Sequence, residues 1–107
     1  MNKIKAIIKR ADEEKGHITA VSNTLENLQK HVGGLIEVFR PARDYAIICN
    51  EEGKIRNLPV NCSCFGETFV GDILVVGIDG SEFVDVPESV VIMWKVGVLF
   101  QPVGGKQ

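Results

Sequence analysis

Short runs rich in branched and aromatic residues, separated by turn-forming residues, recur along this 107-residue chain. Such runs favour β-strands, because these side chains pack well on a pleated surface. Five segments have this character: Lys3–Lys9, His17–Val21, Leu35–Arg40, Tyr45–Cys49 and Asp72–Ile78. The chain is therefore predicted to be built around a sheet.

Lys3–Lys9 alternates with a period of two, which is typical of a strand with one buried face. Its buried face is expected to carry Ile4, Ala6 and Ile8. The opposite, solvent-facing side would carry Lys3, Lys5 and Lys9. Ile7 is the one residue that breaks this alternation.

One segment, SNTLENLQKHVGG, predicts a helix over about residues 24–32. Asn23 is the predicted N-cap, and Glu26 follows it three residues later, as in a capping box. The apolar face has helical spacing and consists of Leu25, Leu28 and Val32. Gly33 supplies the left-handed residue that ends the helix.

Two hairpins are predicted after this helix. In the first, Gly53 takes a positive φ angle and Lys54–Val60 pairs with the preceding strand. Asn61–Phe69 is expected to be irregular. In the second hairpin, Asp79-Gly80 forms the turn and Glu82–Val84 is the returning strand.

The C-terminal segment has mixed signals. Asp85 and Glu88, with Pro87 between them, are typical of a helix start, and we predict a helix over Val86–Trp94 followed by an extended segment. The many valines after position 89 also allow a strand. Apolar surface left uncovered in residues 90–100 would favour a homo-oligomer.

Together these elements predict a single α+β domain over residues 1–102. Its sheet is mainly antiparallel with about five strands, and the helix packs on one face. A second, C-terminal helix would cover the other face. Residues 103–107 are expected to form a flexible tail.

Composition excludes several classes of protein. The formal net charge is -2 and the pI is near 5.6, so a nucleic-acid partner is not expected. The longest apolar run, Val90–Trp94, is far shorter than the ~20 residues of a membrane span, and no signal peptide is expected. Three cysteines, an odd number, fit a reducing compartment, and the predicted location is the cytoplasm.

No metal, cofactor or catalytic residue is predicted. Cys62 and Cys64 could ligate zinc with Cys49, His17 or His31, but a second close pair of ligands is missing. A nucleophilic cysteine needs an activating base, and no nucleophile motif surrounds any cysteine. Glu37 lies within an apolar strand and is the one carboxylate outside the expected turns, although alternation also places it in solvent.

A basic set is predicted at one sheet edge. Arg40 and Arg43 precede the Tyr45–Cys49 strand, and Lys54 and Arg56 lie on the opposite arm of the predicted hairpin. If that hairpin forms, these cations converge and could bind phosphates or carboxylates. Charged edge strands also serve simply to prevent aggregation.

The run TLENLQKHVGGLIEV, then IICNEEGK, LPVN and a GDILVV strand, resembles the DUF3846 family of domains of unknown function over about residues 20–85. Members of that family occur in bacteriophages and other mobile elements. The matching positions are Gly33, Gly34, Glu37, Asn50, Glu51, Gly53 and Asn61. The three glycines have backbone explanations. Glu37, Asn50 and Asn61 would line a cleft, although the two asparagines could also hold turns.

This resemblance implies a phage-type accessory protein acting in the host cytoplasm. Our first hypothesis is a non-enzymatic binding protein that sequesters a nucleotide-derived signal of antiviral defence. Its predicted ligand-binding residues are Glu37, Arg40, Arg43, Asn50, Arg56 and Asn61. The alternative is a module that inhibits a host protein by direct binding, and a third hypothesis is a small hydrolase that uses Glu37.

Overall fold

Three strands that are buried on both faces form the centre of the fold. The computed structural model describes residues 2–103. Its strands are β1 Lys3–Lys9, β2 His17–Ser22, β3 Ile36–Phe39, β4 Tyr45–Asn50, β5 Val60–Cys64, β6 Glu67–Val70, β7 Ile73–Asp79 and β8 Glu82–Val84. Its helices are α1 Leu25–Val32 and α2 Glu88–Lys95.

The main sheet is antiparallel, with the strand order β2-β1-β7-β4-β3 and with β8 paired to the end of β7. β4 and β7 pair in the register Tyr45 to Gly77 and Ile48 to Leu74. Both strands are almost wholly buried, which explains why they are continuous apolar runs without alternation. The hairpin of β5 and β6 forms a separate two-stranded sheet.

Helix α1 covers one face of the main sheet. Leu28 and Val32 are its buried residues. They pack against an apolar cluster that consists of Ile4, Ala6, Ile8, Val21, Ala46, Ile48, Leu74 and Val76. This is the arrangement predicted for the helix at residues 24–32.

The opposite face is covered by the β5–β6 hairpin, α2 and the segment that follows α2. The cluster on this side is formed by Ile7, Tyr45, Ile47, Cys49, Cys62, Cys64, Phe69, Ile73, Val75, Val86, Val90, Val91 and Leu99. The last segment is fixed to β5, because Ser63 and Gln101 exchange two backbone hydrogen bonds of 2.8 Å. The α+β class with a mainly antiparallel sheet is therefore confirmed.

The start of α1 differs from its prediction. Thr24 is the N-cap, and its hydroxyl accepts a hydrogen bond of 3.1 Å from the Asn27 backbone. Asn23 instead donates its side chain to the Phe83 carbonyl of β8. Glu26 is therefore one position too early for a capping box, and Leu25 is 58% exposed. Gly33 ends the helix at φ 79°, as predicted.

The predicted hairpin between β4 and Lys54–Val60 is wrong. Residues 51–57 form successive turns, and the pairing partners of β4 are β3 and β7. Asn57 has the positive φ, of 55°, within these turns. Gly53 is needed for space, because a Cβ atom there would lie 2.8 Å from a methyl group of Val70.

Asn61–Phe69, predicted to be irregular, contains most of a hairpin. Phe65 and Gly66 form its two-residue turn with φ angles of 54° and 81°, as a type I′ turn requires. Phenylalanine is unusual at such a position, which is why the turn was not predicted. The aromatic ring of Phe65 lies 6.1 Å from that of Tyr45, centroid to centroid.

The C-terminal helix is confirmed as α2, but the segment after it is not simply extended, because a turn at Val96 and Gly97 and bends at Leu99 and Phe100 precede the bridge at Gln101. Val90 and Val91 are buried, whereas Ile92, Val96 and Val98 are each more than half exposed. Of the predicted tail, positions 104–107 lie outside the described residues. Within residues 2–103, neither helix has the length and apolar content needed to cross a membrane.

Lys9 corrects the prediction for β1. Lys3 and Lys5 are exposed, but Lys9, on the same side of the strand, retains only 5% of its accessible surface. The reason is that β5 and the segment after α2 cover this end of the second face. The break in alternation at Ile7 is the first sign of that cover in the sequence.

Candidate functional site

A cleft of about 500 Å³ lies where the β1–β2 loop, the start of β5 and the end of α2 meet. Its floor includes Lys9, Asn61 and Cys62, and its walls include Glu13, Trp94 and Phe100. The volume falls within the ~300–1,000 Å³ that is usual for small-molecule sites. No single segment of the chain contains more than a few of these residues.

The Lys9 ammonium is the central charge of the cleft. Its nitrogen donates to the Glu13 carbonyl at 2.7 Å and to Asn61 Oδ1 at 3.0 Å. Both acceptors are neutral, and no Asp or Glu carboxylate of residues 2–103 forms an ion pair with it. An ammonium has three donors, so one remains after these two bonds. The cleft thus contains a largely buried lysine whose ammonium has no carboxylate partner among residues 2–103.

Asn61 positions Lys9. Its side-chain nitrogen donates to the Lys9 carbonyl at 2.8 Å and to the Gly71 carbonyl at 2.7 Å, and its oxygen accepts from the Lys9 ammonium. The amide therefore uses both of its donors and its oxygen. Asn61 does not hold a local turn, which was the alternative interpretation of this residue. It joins β1 to the β5–β6 hairpin.

Glu13 fixes the loop that forms one wall. Its carboxylate accepts from the Arg10 backbone at 2.8 Å and contacts His17 Nδ1 at 2.8 Å. Partial burial raises the pKa of the Glu13 carboxyl. The two hydrogen bonds lower it by more, so the pKa lies below its usual value. The Glu13 carboxylate is thus occupied by loop contacts, and its backbone oxygen remains for Lys9.

Trp94 and Phe100 provide an aromatic surface in the same cleft. The indole nitrogen of Trp94 donates to the Lys15 carbonyl at 2.8 Å, which fixes the edge of the ring to the β1–β2 loop. Lys15 and Lys95 also line the cleft and are exposed. The site combines the Lys9 ammonium, two aromatic residues and charges of both signs near solvent, since Glu14 also lines it.

The cysteine thiols do not have the properties of nucleophiles. Burial raises the pKa of Cys62 and of Cys49 to about 11. Burial, and then the neighbouring Cys62, raise the pKa of Cys64 to about 12. Cys64 donates its S–H to the Leu99 carbonyl at 3.1 Å. These thiols stay protonated at neutral pH, whereas nucleophilic attack requires a thiolate.

The zinc alternative has no support in the arrangement of these thiols. In the part of the chain that the structure describes, no group of three or more His, Cys, Asp or Glu side chains is placed to hold a metal ion. His17 contacts Glu13 instead. Partial burial, and then the nearby Arg10 charge, lower the pKa of His31 on α1.

The six predicted ligand-binding residues do not form one site. Asn61 lines the Lys9 cleft. Glu37 and Asn50 line a second, smaller cavity of about 130 Å³ between β3, the 51–57 turns and β6. Arg40, Arg43 and Arg56 line neither of these two cavities.

Asn50 and Arg56 act at the end of α1. Asn50 is buried, donates to the Val32 carbonyl at 3.1 Å and accepts from the Glu52 backbone at 2.7 Å. Arg56 donates to the Gly33 carbonyl at 3.3 Å. Both side chains therefore satisfy carbonyl groups that the helix end leaves without a partner. For Asn50, the turn-holding interpretation is correct in part.

Arg40 and Arg43 lie in the β3–β4 connection, where Arg40 donates to the Arg43 carbonyl at 3.2 Å. Arg56 lies beyond the other end of β4, a separation of roughly 17 Å along the strand at ~3.3 Å per residue. The predicted convergence of these arginines is wrong, because it depended on pairing between β4 and residues 54–60.

Sequence reasoning missed Lys9 and Trp94 as site residues. Lys9 resembles the exposed lysines of its strand, and Trp94 resembles a core residue of an apolar helix. The loss of alternation at Ile7 could have indicated Lys9. An apolar residue on the second face of β1 predicts that this face is covered, and Lys9 follows two positions later on the same face.

Comparison with known families completes this description. The family described as Domain of unknown function (DUF3846) matches residues 4–97. This range includes Lys9, Asn61 and Trp94 and therefore most of the cleft. No curated protein and no solved structure matches the chain significantly.

Proposed function

Since the chain belongs to the DUF3846 family, whose description states no activity, we propose from the geometry of the cleft that it binds a small, anionic, nucleotide-like molecule. The observation that carries this proposal is the largely buried Lys9, whose ammonium has no carboxylate partner in the described part of the chain. The ligand anion would accept its remaining N–H and neutralise its charge.

Energetics favour this interpretation. A buried charge with only neutral partners costs several kcal/mol relative to one that is paired. An anion that binds in the cleft offsets that cost. A solvent-exposed lysine ammonium would gain only about 1 kcal/mol or less from the same pairing. The three lysines of the lining, Lys9, Lys15 and Lys95, outnumber its two acidic residues, Glu13 and Glu14, so the net charge of the cleft still favours an anion.

The proposed action is binding without chemical conversion. The thiols are buried and protonated at neutral pH, and the Glu13 carboxylate is held by Arg10 and His17. The predicted counter-defence role in a host cell would require only capture of the ligand. A hydrolase that uses Glu37 would act in the second cavity, and it would release products rather than intact ligand.

The test is calorimetric titration of the protein with inorganic phosphate, pyrophosphate and a panel of linear and cyclic nucleotides. At 100 times its Kd, a ligand also raises stability by about 2.7 kcal/mol, so a thermal shift of roughly ten degrees is expected. Lys9→Gln should abolish both signals. Lys3→Gln, an exposed lysine on the same side of β1, is the matched control and should leave both unchanged.

Lys9→Arg keeps the positive charge and should retain binding, which separates charge from packing. Binding that survives Lys9→Gln would overturn the assignment of the cleft. No binding to any anion in the panel would overturn the proposed function. Ligand recovered intact after denaturation of the complex excludes the hydrolase.

The second candidate function is inhibition of a host protein by direct binding. It is favoured by the exposed side chains of Ile92, Val96 and Val98, which form an apolar surface on and after α2. The same surface would serve the predicted homo-oligomer. The variant Ile92→Glu/Val96→Glu should then abolish partner capture or reduce the mass in sedimentation. A monomer mass at every protein concentration tested, measured for the unaltered chain, excludes self-association.

A further inference from the structure

We propose that the ligand of the Lys9 cleft is a nucleoside phosphate whose base stacks on Trp94 while its phosphate binds Lys9. This inference rests on the proposed function and specifies the class of ligand. It comes from the way in which the β1–β2 loop holds the ammonium and the indole at the same time.

In the orientation that Trp94 adopts, a ligand can contact it mainly through the surface of the ring. Its only polar group, the indole N–H, is already bonded to the Lys15 carbonyl at 2.8 Å. Trp94 lines the cleft and is only partly buried, with the rest of its side chain packed against the apolar cluster of the second face. An indole with its donor occupied interacts with a ligand through its π face, which favours a flat aromatic partner. Phe100 adds a second ring to the same wall.

The distance between the two groups is limited by one short piece of chain. Lys9 is bonded to the Glu13 carbonyl and Trp94 to the Lys15 carbonyl, at 2.7 Å and 2.8 Å. Two residues of chain span at most ~7 Å. With the two hydrogen bonds included, the ammonium and the indole nitrogen lie within about 12 Å of each other, a distance that one nucleotide can span with its anion at one end and its ring at the other.

A ligand with both groups should bind more tightly than either half. Base stacking on an aromatic side chain contributes about 1–3 kcal/mol, which corresponds to about 5- to 150-fold in affinity. Because stacking tolerates every base, differences among bases should be small beside this gain. The prediction is that ring and phosphate act together, without strong base specificity.

The test uses the intrinsic fluorescence of Trp94, the single tryptophan of the chain. Adenosine, guanosine, cytidine and uridine diphosphates are titrated, with adenosine and pyrophosphate as the two half-ligands. The expected result is a change in fluorescence and an affinity for the nucleotides about 5- to 150-fold above that for pyrophosphate.

Two variants complete the test, measured by calorimetry. Trp94→Leu should lower nucleotide affinity by the same factor and leave pyrophosphate binding unchanged, whereas Trp94→Phe should retain most of the nucleotide affinity. Pyrophosphate bound as tightly as the nucleotides, or a Trp94→Leu variant with full nucleotide affinity, overturns the stacking site while anion binding at Lys9 stands. Loss of the proposed function has a different signature, since then pyrophosphate does not bind either.

Discussion

Lys9 and Asn61 bind each other in both directions: the lysine ammonium donates to the asparagine oxygen at 3.0 Å, and the asparagine nitrogen donates to the lysine carbonyl at 2.8 Å. The two residues are 52 positions apart in the sequence. This pair connects the main sheet to the β5–β6 hairpin at the floor of the cleft, so a polar contact of the site is also a joint of the fold.

Asn61→Ala should destabilise the protein by roughly 2–4 kcal/mol, because two backbone carbonyls and the Lys9 ammonium each lose a partner. Urea unfolding measures this loss. Lys30→Ala, on the exposed side of α1, is the control and should change stability by less than about 0.5 kcal/mol. A similarly small effect of Asn61→Ala would show that the hairpin is held by apolar packing alone.

Asn50→Ala and Arg56→Ala should differ in size, although both remove a partner from the end of α1. Asn50 is buried and bonded twice, so its loss should cost about 1–3 kcal/mol. Arg56 is exposed and has one long bond, and we expect less than about 1 kcal/mol. Chemical denaturation of the two variants gives the comparison. Equal costs would contradict the assignment of Asn50 as the main cap.

Gly53→Ala should destabilise by about 1–3 kcal/mol, because the added methyl group meets Val70 at 2.8 Å. The double variant Gly53→Ala/Val70→Ala removes that contact. It should be more stable than the sum of the two single changes predicts, as a double-mutant cycle would show. Strict additivity would mean that crowding against Val70 is not the cause of the lost stability.

Stability should fall as the pH rises above about 9. Burial raises the pKa of Cys62 and Cys64 from 9.0 to about 11 and about 12. Above pH 9 the unfolded chain loses these protons and the folded chain keeps them, so unfolding becomes more favourable with rising pH. Each thiol contributes a slope of at most about 1.4 kcal/mol per pH unit.

The measurement is the free energy of unfolding between pH 9 and pH 11. Cys64→Ala lowers the baseline through lost packing, so the slope is the quantity to compare, and it should be shallower in the variant. An equal slope in both proteins would assign the loss of stability at alkaline pH to other groups. Tyr45 is one of these, because burial raises its pKa to about 12.

The sequence was sufficient for the elements whose signals are local. The strand β1, the apolar run of β7 and the Gly33 stop of α1 depend on neighbouring residues, and all three are confirmed, although the alternation of β1 ends after Ala6. The class of fold followed from them. The N-cap was displaced by one residue, because Thr24 and Asn23 are both good caps and a tertiary bond to Phe83 removes Asn23 from the competition.

The site was less accessible to sequence reasoning, because its residues come from segments that are distant in the chain. Asn61 was identified as a polar residue without a backbone explanation, and it does line the cleft. Lys9 could not be identified, since its burial depends on β5 lying over β1. The incorrect pairing of β4 with residues 54–60 also placed Arg56 close to Arg40 and Arg43 in the prediction. In the structure, the length of β4 separates them.

Neither strand of the β5–β6 hairpin pairs with a strand of the six-stranded sheet, and this has a consequence for hydrogen exchange. The hairpin can swing away as one cooperative unit while every strand of the main sheet stays paired. Its amides would then exchange at a free energy below that of global unfolding, together with the backbone of Gln101. The same opening would expose Cys62 and Cys64 to solvent, so thiol labelling and amide exchange in the hairpin should report one common free energy of opening.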